Sequence, residues 1–386
     1  MTTVGRREFT RWTLSALALS ATPGLAWTAQ GAETKVSTAA ARLYKRAIVV
    51  DGCGAPGGFV PDADDSTRLS PDMVADAKNS GITAVNMTVG AIGNGDSLFQ
   101  DSVGGMTFID REIESHPNAL MKILRYAHLQ AAKDSGRLGL ILGFQDGSML
   151  GADVDRVDTF YQLGVRIIQP TYNGRNLLGD GCLEPGNAGL SRLGRQVIER
   201  MNALGILLDL SHCGQRTTAE GIEASKAPMA VTHSGCSALV DIPRNKRDEE
   251  LRALADKGGV IGIYFMPFLR ASGQPTSADA IAHIEHALKV CGEDHVGIGT
   301  DGLMSAVDVN EAYRKAHLAD VEQRRKLGIS APGESADIYN FLPDLNTPRR
   351  FETLADMLLS RGHSATRVEK ILGGNFARVF KESWKG

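Results

Sequence analysis

The chain has 386 residues, of which 42% are hydrophobic and 23% are charged. This composition is typical of a globular protein with enough length for one large domain or two medium ones. The formal net charge is −3, and the sequence has no long run of Lys and Arg. Because a phosphate backbone attracts basic surfaces, this charge balance predicts that nucleic acid is not a partner.

The first 30 residues form a candidate export signal. Arg6 and Arg7 precede an uncharged, largely apolar run at 12–21, followed by Pro23 and Gly24. This pattern resembles a twin-arginine signal. The alternative is a membrane anchor, but the run is shorter than the roughly 20 apolar residues that a span needs. We predict that 1–30 is removed, and that the mature chain is periplasmic or otherwise extracytoplasmic with no stable membrane span.

The cysteine count is odd for a chain that is exported to an oxidising compartment. At least one thiol is therefore expected to be unpaired within the chain, and the sequence leaves the pairing of the others open. The five residues are Cys53, Cys182, Cys213, Cys236 and Cys291.

Short apolar segments alternate with stretches of helical spacing such as 194–204 and 278–291, which end before Gly205 and Gly292. The segments are apolar almost throughout, as is typical of parallel strands that are buried on both faces. Strand and helix alternating in this way predict a β/α barrel or a large doubly wound sheet. The candidate strands are 47–51, 83–87, 139–144, 165–170, 206–210, 228–232, 260–265 and 296–299.

Polar residues follow most of these segments, and their position favours the barrel. A closed barrel brings the carboxyl ends of its strands to one rim, where barrel enzymes keep their active sites. We predict an α/β fold, a (β/α)8 barrel in a single domain over 31–386, with a long loop excursion at about 308–350 that covers the rim. The strand-end triplets are Asp51-Gly52-Cys53, Gln145-Asp146-Gly147, Thr171-Tyr172-Asn173, Ser211-His212-Cys213, His233-Ser234-Gly235 and Thr300-Asp301-Gly302.

Several stretches resemble the membrane (renal) dipeptidases, also called dehydropeptidases, and the resemblance runs from about 43 to 380. Together these stretches are far more specific than one short motif. They are Gly189-Leu190-Ser191, the segment 202–212 that ends in Ser211-His212, Thr232-His233-Ser234, Pro243-Arg244-Asn245, the segment 296–302, and Gly373-Gly374-Asn375-Phe376.

The resemblance implies a β/α barrel with two zinc ions. In that family a His-x-Asp pair after the first strand holds one zinc, two histidines after the fifth and sixth strands hold the other, and a glutamate after the third strand bridges them. An Asp after the eighth strand transfers a proton, while an Arg after the sixth and a His after the fourth contact the substrate. By position, His212 and His233 match the two histidines, Asp301 the proton-transfer Asp, and Arg244 the substrate Arg.

The other half of the family's site is replaced. Cys53 and Ala55 stand where the family has its His-x-Asp pair, Gln145 stands for the bridging Glu, and Tyr172 for the substrate His. Asp146 is a neighbour of Gln145 on a strand, so we expect its side chain to point to the opposite face. Two divalent ions need several anionic ligands to offset lost hydration, so the loss of two carboxylates argues against a second ion.

We predict that one zinc, or another divalent ion, is held by His212, His233, Gln145 and Cys53, with Asp301 as the catalytic group. Arg244, Tyr172 and Asn173 are predicted to bind substrate. Each assignment has a structural alternative: a histidine or thiol that only packs, an Asp301 that caps a loop, and an Arg244 that lies on a solvated charged face with Lys246 and Arg247.

The function we expect is an exported metal-dependent hydrolase that cleaves a dipeptide or a small amide with a free carboxylate. The alternative is a barrel that no longer hydrolyses and serves to bind or mature an exported peptide-like metabolite such as a siderophore precursor. A third possibility is that Cys53 and the histidines bind copper for redox work. Relatives in the family often dimerise, so a homodimer is possible.

Overall fold

The computed structural model describes residues 36–57, 60–61 and 67–385. The candidate export signal at 1–30 lies outside these residues. Eight parallel strands form the barrel, and they correspond to the eight predicted segments, with ends that differ by up to three residues. They are β1 (Val50–Asp51), β5 (Ala84–Thr88), β7 (Leu138–Phe144), β8 (Val165–Ile168), β9 (Leu207–Leu208), β10 (Ala230–Ser234), β11 (Val260–Ile263) and β12 (Val296–Ile298).

The barrel is made of two parallel ladders that meet at two seams. One ladder has the order β1-β5-β7-β8-β9 and the other has the order β10-β11-β12. Leu210 N donates to Ala230 O at 2.9 Å and joins β9 to β10, while Gly52 N donates to Ile298 O at 2.8 Å and joins β12 to β1. The sheet therefore closes on itself, and the predicted barrel is confirmed.

Short strands extend or flank the barrel. They are β2 (Gly54–Ala55), which pairs in parallel with β13 (Gly302–Leu303), the antiparallel pair β3 (Val60–Pro61) and β4 (Thr67–Arg68), and β6 (Leu120–Lys122) against β7. The β2–β13 pair continues the seam between β12 and β1 beyond the barrel strands. It lies on the side of the barrel where the strand-end residues are found.

Helices separate successive strands and pack outside them. They are α1 (Thr38–Arg46), α2 (Pro71–Asn79), α3 (Leu98–Ser115), α4 (Ala127–Ser135), α5 (Arg156–Leu163), α6 (Arg192–Leu204), α7 (Gln215–Ala224), α8 (Asp248–Asp256), α9 (Ser277–Cys291), α10 (Glu311–Lys326), α11 (Arg350–Ser360), α12 (Ala365–Glu369) and α13 (Asn375–Ser383). Within the described ranges, no helix is both long and apolar enough to cross a membrane.

Helix α6 shows how the sequence fixes these boundaries. The Ser191 side chain accepts a hydrogen bond from Gly194 N and caps the first turn. Gly205 ends the helix with a φ of 81°, a left-handed conformation that glycine adopts without steric cost. The predicted helix at 194–204 and its glycine stop are confirmed.

Close strand approach inside the barrel depends on glycine. A Cβ on Gly299 would lie 1.9 Å from Thr232 O, so any side chain there would force the end of β12 away from β10. Thr232 directly precedes one of the two candidate histidines, and this contact helps to fix its position.

The excursion at 308–350 differs from the predicted loop because it contains α10. The helix carries many charges, and its buried side chains are Tyr313, His317 and Val321, spaced by four residues. So narrow an apolar stripe in a charged segment gives a weak helical signal. One contact joins the excursion to a strand-end residue: Asn173 Nδ2 donates to Ile329 O at 2.8 Å. That the excursion covers the rim stays a prediction.

Candidate metal and catalytic site

Each seam of the barrel is held by a buried aspartate in the same arrangement. In the first, which we call the Asp209 clip, Asp209 Oδ1 accepts from Ser211 N at 3.1 Å and from Thr232 N at 3.0 Å, while Oδ2 accepts from Thr232 Oγ1 at 2.5 Å. This clip joins β9 to β10. It also fixes the backbone on either side of the two candidate histidines.

The second arrangement, the Asp51 clip, repeats this pattern at the seam between β12 and β1. Asp51 Oδ1 accepts from Cys53 N at 3.2 Å and from Thr300 N at 2.8 Å, and Oδ2 accepts from Thr300 Oγ1 at 2.6 Å. Burial raises the pKa of Asp51 to about 7, although these hydrogen bonds favour the charged form. The residues that this clip positions are Cys53 and Asp301.

The Asp209 clip places the two candidate histidines in contact. His212 Nε2 lies 2.9 Å from His233 Nε2, and both rings are buried. Asn173 Nδ2 is bound to Ile329 O, so Asn173 Oδ1 faces His212 Nδ1 at 2.7 Å and accepts its proton. His212 therefore has an unprotonated Nε2 that points at the other ring.

A relay of hydrogen bonds sets the tautomer of His233. Thr232 Oγ1 donates to Asp209 Oδ2, so the same oxygen accepts from His233 Nδ1 at 2.9 Å. Burial, followed by the charge of Arg244, lowers the pKa of both histidines well below the usual range, so neither ring holds a second proton. Two lone pairs thus face each other across 2.9 Å. Arg244 Nη2 donates to one of them, His212 Nε2, at 3.3 Å, and a metal ion beside the rings would satisfy the other.

The Asp51 clip brings further ligand atoms to His233. Among the described residues, Cys53, His233 and Asp301 have ligand atoms that all lie within 4.8 Å of one another. Cys53 Sγ lies 3.6 Å from Asp301 Oδ1. Burial raises the pKa of Asp301 to about 6, and burial together with nearby carboxylates raises the pKa of the Cys53 thiol well above its usual range.

The backbone of Asp301 is in a conformation that is uncommon for residues other than glycine. Its φ is 56°, in the left-handed region, and its N–H donates to Cys53 O at 2.7 Å. Aspartate tolerates this region better than most residues, and such outliers cluster at functional sites. The turn directs Asp301 toward Cys53.

The donor atoms at the site fit a divalent metal ion, and Ala55 lacks the carboxylate that the family's second ion uses. Imidazole nitrogens, a thiol and a carboxylate are the donors that zinc takes. Ala55 stands where the second ion's carboxylate ligand would be, and it is 1% exposed within the main hydrophobic core. An anion there would have to be buried among apolar side chains, which is costly.

Gln145 lies at the site in an orientation that does not support its predicted role as a ligand. Its amide nitrogen donates to Thr88 Oγ1 at 2.8 Å and to Cys53 Sγ at 3.4 Å, and an amide nitrogen does not bind metal. Asp146 points away from the site, as predicted. Its carboxylate accepts hydrogen bonds from Gly93 N and from Ser148 N and Oγ.

Arg244 is buried beside the histidines, so the solvated charged face considered as an alternative is wrong. The side chain is 1% exposed, Nη1 donates to Ser211 O at 2.7 Å, and Nη2 lies 3.3 Å from His212 Nε2. No ion pair joins Arg244 to a carboxylate of the described residues. Lys246 is also buried, and its Nζ donates to Cys213 O and Thr218 Oγ1, both at 2.8 Å.

Tyr172 and Asn173 both contact His212. The Tyr172 ring stacks on the imidazole with a centroid distance of 4.1 Å, and Asn173 holds Nδ1 as described above. Both groups of the Asn173 amide are bound to the protein, so this side chain positions His212. A contact of Tyr172 or Asn173 with substrate stays a prediction.

Arg324, on α10, is a residue at the site that the sequence did not predict. Its Nη2 lies 3.4 Å from the Tyr172 hydroxyl, and its guanidinium forms a two-pronged pair with Glu334 at 2.7 and 2.8 Å. Its charge also lowers the pKa of Asp301. Arg324 follows no strand end, because it is on a helix of the excursion, so the pattern of strand-end residues does not reveal it.

The five cysteines are all free thiols in the structure. Cys53, Cys213 and Cys236 are buried, while Cys182 and Cys291 are half-buried. Cys182 donates to Asn173 Oδ1 at 3.4 Å, and it is not in the group of ligand atoms formed by Cys53, His233 and Asp301.

A closed α/β barrel with a buried histidine pair, a carboxylate and an arginine at the carboxyl ends of its strands defines a barrel hydrolase with a metal-binding site. Comparison with known proteins identifies the family of this hydrolase. The model of the membrane dipeptidases, peptidase family M19, matches residues 39–320, and the chain belongs to this family. The family is metal dependent, so its members are metallopeptidases.

Individual relatives agree with this assignment. A protein of Klebsiella pneumoniae encoded in the pqqA 5′ region is 28% identical over 71% of this chain and 93% of its own length. A dipeptidase of Schizosaccharomyces pombe is 34% identical over 45% of this chain, but the match spans only 43% of that protein. The crystal structure of an amidohydrolase from Pseudomonas aeruginosa is 32% identical with a TM-score of 0.76, covering 89% of this chain and 99% of that one.

Proposed function

We propose that this protein is an exported dipeptidase-like hydrolase that uses one divalent metal ion, zinc in the first instance, to cleave a dipeptide or small amide with a free carboxylate. The observation that carries the proposal is the pair of buried imidazoles whose Nε2 atoms face each other at 2.9 Å. Metal-binding histidines characteristically have their second nitrogen fixed by a protein acceptor. Asn173 and Thr232 supply those acceptors here.

Arg244 supports a substrate with a free carboxylate. A buried guanidinium without an anionic partner is costly, and a carboxylate offsets this cost through two parallel hydrogen bonds. Arg244 lies within 3.3 Å of His212 Nε2, so a carboxylate bound there places the adjoining amide bond near the histidine pair. This arrangement suits a dipeptide, whose scissile bond is close to its terminal carboxylate.

Asp301 is the group that we assign to proton transfer. A bound metal ion would supply a water of lowered pKa and polarise the amide carbonyl. With a pKa of about 6, the Asp301 carboxylate is charged at neutral pH yet basic enough to accept a proton. Its position beside Cys53 and His233 places that carboxylate next to the ligand atoms.

Export and assembly are further parts of the proposal. Arg6 and Arg7 before the apolar run at 12–21 support passage through the twin-arginine route. That route carries folded proteins, and a protein exported in this way can receive its metal before it crosses the membrane. A homodimer is the assembly that we expect from the family.

The test is hydrolysis of dipeptides by the purified mature protein. We expect cleavage that stops in chelator and returns with zinc, and a kcat/KM that is about tenfold to hundredfold lower for the matching C-terminal amides, because a hydrogen bond to a charged group is worth about 1.5–3 kcal/mol. Binding of dipeptides without cleavage would favour the alternative, a binding or maturation protein. Cleavage that persists in chelator, with no metal in the protein, would contradict the proposal.

A further inference from the structure

We infer that Cys53, His233 and Asp301 form a metal site with a sulphur ligand, so that the single ion is bound by a thiolate, an imidazole and a carboxylate. This inference rests on the proposed function, because it specifies the ligands of the proposed ion. It departs from the family's pattern, in which no cysteine is a ligand. His212 is not in this set, and its Nε2 lies 2.9 Å from His233 Nε2 and 3.3 Å from Arg244 Nη2.

The distances support this set of ligands. Cys53 follows β1, His233 lies in β10 and Asp301 follows β12, and their ligand atoms lie within 4.8 Å of one another. Cys53 Sγ and Asp301 Oδ1 are 3.6 Å apart. Two adjacent corners of a tetrahedral zinc site with one sulphur and one oxygen are about 3.5 Å apart, from the usual zinc–ligand distances.

Gln145 suits a thiolate at Cys53. Its amide nitrogen is 3.4 Å from the sulphur and donates toward it. A thiolate accepts such a hydrogen bond, whereas the glutamate found here in the family would place a second negative charge against the sulphur. The replacements at Cys53 and Gln145 are therefore a matched pair in chemical terms.

The charges also balance. A thiolate and a carboxylate bring two negative charges to a dication, and the imidazole is neutral. The thiol proton is released when the ion binds, since the thiolate is the form that ligates. A carboxylate that binds through Oδ1 leaves Oδ2 free for a hydrogen bond.

A sulphur, nitrogen and oxygen set selects among metals. Thiolate favours zinc and other thiophilic ions over magnesium and calcium, which prefer oxygen ligands. We therefore expect zinc and cobalt to bind, and magnesium to compete poorly.

The experiment uses cobalt as a spectroscopic probe of the reduced, metal-free mature protein. We expect Co²⁺ binding to produce a near-ultraviolet charge-transfer band from sulphur to metal. In Cys53→Ser this band should vanish. Co²⁺ affinity should fall by at least about tenfold, because losing even a residue that only hydrogen-bonds to a ligand lowers metal affinity by about 10- to 100-fold. The matched control is Cys182→Ser, whose thiol faces Asn173, and it should keep the band and the affinity.

The outcomes separate this inference from the proposed function. Co²⁺ binding without a sulphur band, lost in His233→Ala but unchanged in Cys53→Ser, overturns the thiolate site and leaves a hydrolase with a histidine-bound ion. A band that persists in Cys53→Ser and disappears in Cys182→Ser also overturns it. Absence of both metal binding and hydrolysis in the wild-type protein overturns the proposed function and the inference together.

Discussion

The two seams of the barrel have the same backbone device but present different chemistry. At the seam between β9 and β10 the Asp209 clip presents two histidines, which the family also has at these positions. At the seam between β12 and β1 the Asp51 clip presents Asp301, which the family also has, beside Cys53 and Ala55, which replace the family's histidine and second carboxylate. The carboxylate bonds to the next strand are alike at both seams, with distances of 2.5 to 3.0 Å.

The difference shows that the scaffold and the ligands of a metal site can vary separately. A strand-end aspartate closes the sheet by binding a threonine on the neighbouring strand. The residue directly after the threonine and the residue two or three positions after the aspartate reach the site. Because the clip is built from Asp51 and Thr300, replacing Cys53 or Ala55 leaves the seam intact. The residues that this clip presents can therefore differ while the barrel stays closed.

The largest effect is expected from His233→Ala. His233 contacts His212 and also belongs to the group with Cys53 and Asp301, so its loss removes the one ligand that both seams share. We expect bound metal to be lost and kcat/KM to fall by about a thousandfold or more, measured by metal analysis and dipeptide hydrolysis. His283→Gln is the control, since this buried histidine lies away from the site, and it should keep the metal. Full activity in His233→Ala would contradict the assignment.

The variants Asp209→Asn and Asp51→Asn compare how much each clip contributes to metal affinity. An amide at 209 donates to Thr232 Oγ1, so the hydroxyl turns its proton to His233 Nδ1 and forces the ring's proton onto Nε2. We expect metal affinity to fall by about 10- to 100-fold in Asp209→Asn, measured by competition with a chromophoric chelator. In Asp51→Asn the Thr300 hydroxyl turns its proton toward Cys53 O, 3.4 Å away. No imidazole accepts a hydrogen bond from this hydroxyl, so the loss of metal affinity should be smaller. Equal losses of affinity in both variants would show that the Thr232 relay does not set the tautomer.

A smaller and more specific effect is expected from Arg244→Lys. An ammonium group keeps the charge but loses the two-pronged geometry, so substrate binding weakens. We expect KM to rise by about tenfold with a smaller change in kcat, measured by steady-state kinetics. The control is Arg252→Lys, an exposed arginine on α8. A fall in kcat at unchanged KM would place Arg244 in the chemical step and not in carboxylate binding.

The smallest effect concerns pH and sharpens the contrast between ligand and packing histidines. His283 Nδ1 accepts from Cys236 N and Nε2 donates to Leu269 O, so both nitrogens are satisfied by the protein. Burial lowers its pKa from 6.5 to about 4. Since the unfolded chain binds the proton first, this contribution to stability is complete above pH 6.5 and is lost as the pH falls toward 4.

The size of this pH effect follows from the shift. Between pH 7 and pH 5 the free energy of unfolding should fall by about 2 kcal/mol through His283, at about 1.4 kcal/mol per pK unit. Urea denaturation of the wild-type protein and of His283→Gln at both pH values measures it. The variant should show the shallower dependence, and equal dependence in the two proteins would rule out His283 as the source.

Much of the fold was predictable because buried parallel strands leave continuous apolar runs in the sequence. The strand-end residues were predictable for the same reason, since polar triplets after such runs must share one rim. The burial of Arg244 and Lys246 was not, because a charged stretch is normally solvated and only the structure shows their carbonyl and hydroxyl partners. Helix α10 and Arg324 were missed because a charged segment with one narrow apolar stripe gives little signal, and Arg324 reaches Tyr172 from 152 positions along the chain.

The most direct test of the one-ion site is elemental analysis of the mature protein purified from its native compartment, together with a measured protein concentration. One divalent ion per chain, absent from His233→Ala, is the predicted result. Two ions per chain would contradict the account, because the Asp51 seam would then assemble a second site without the family's ligands, and none would contradict it equally.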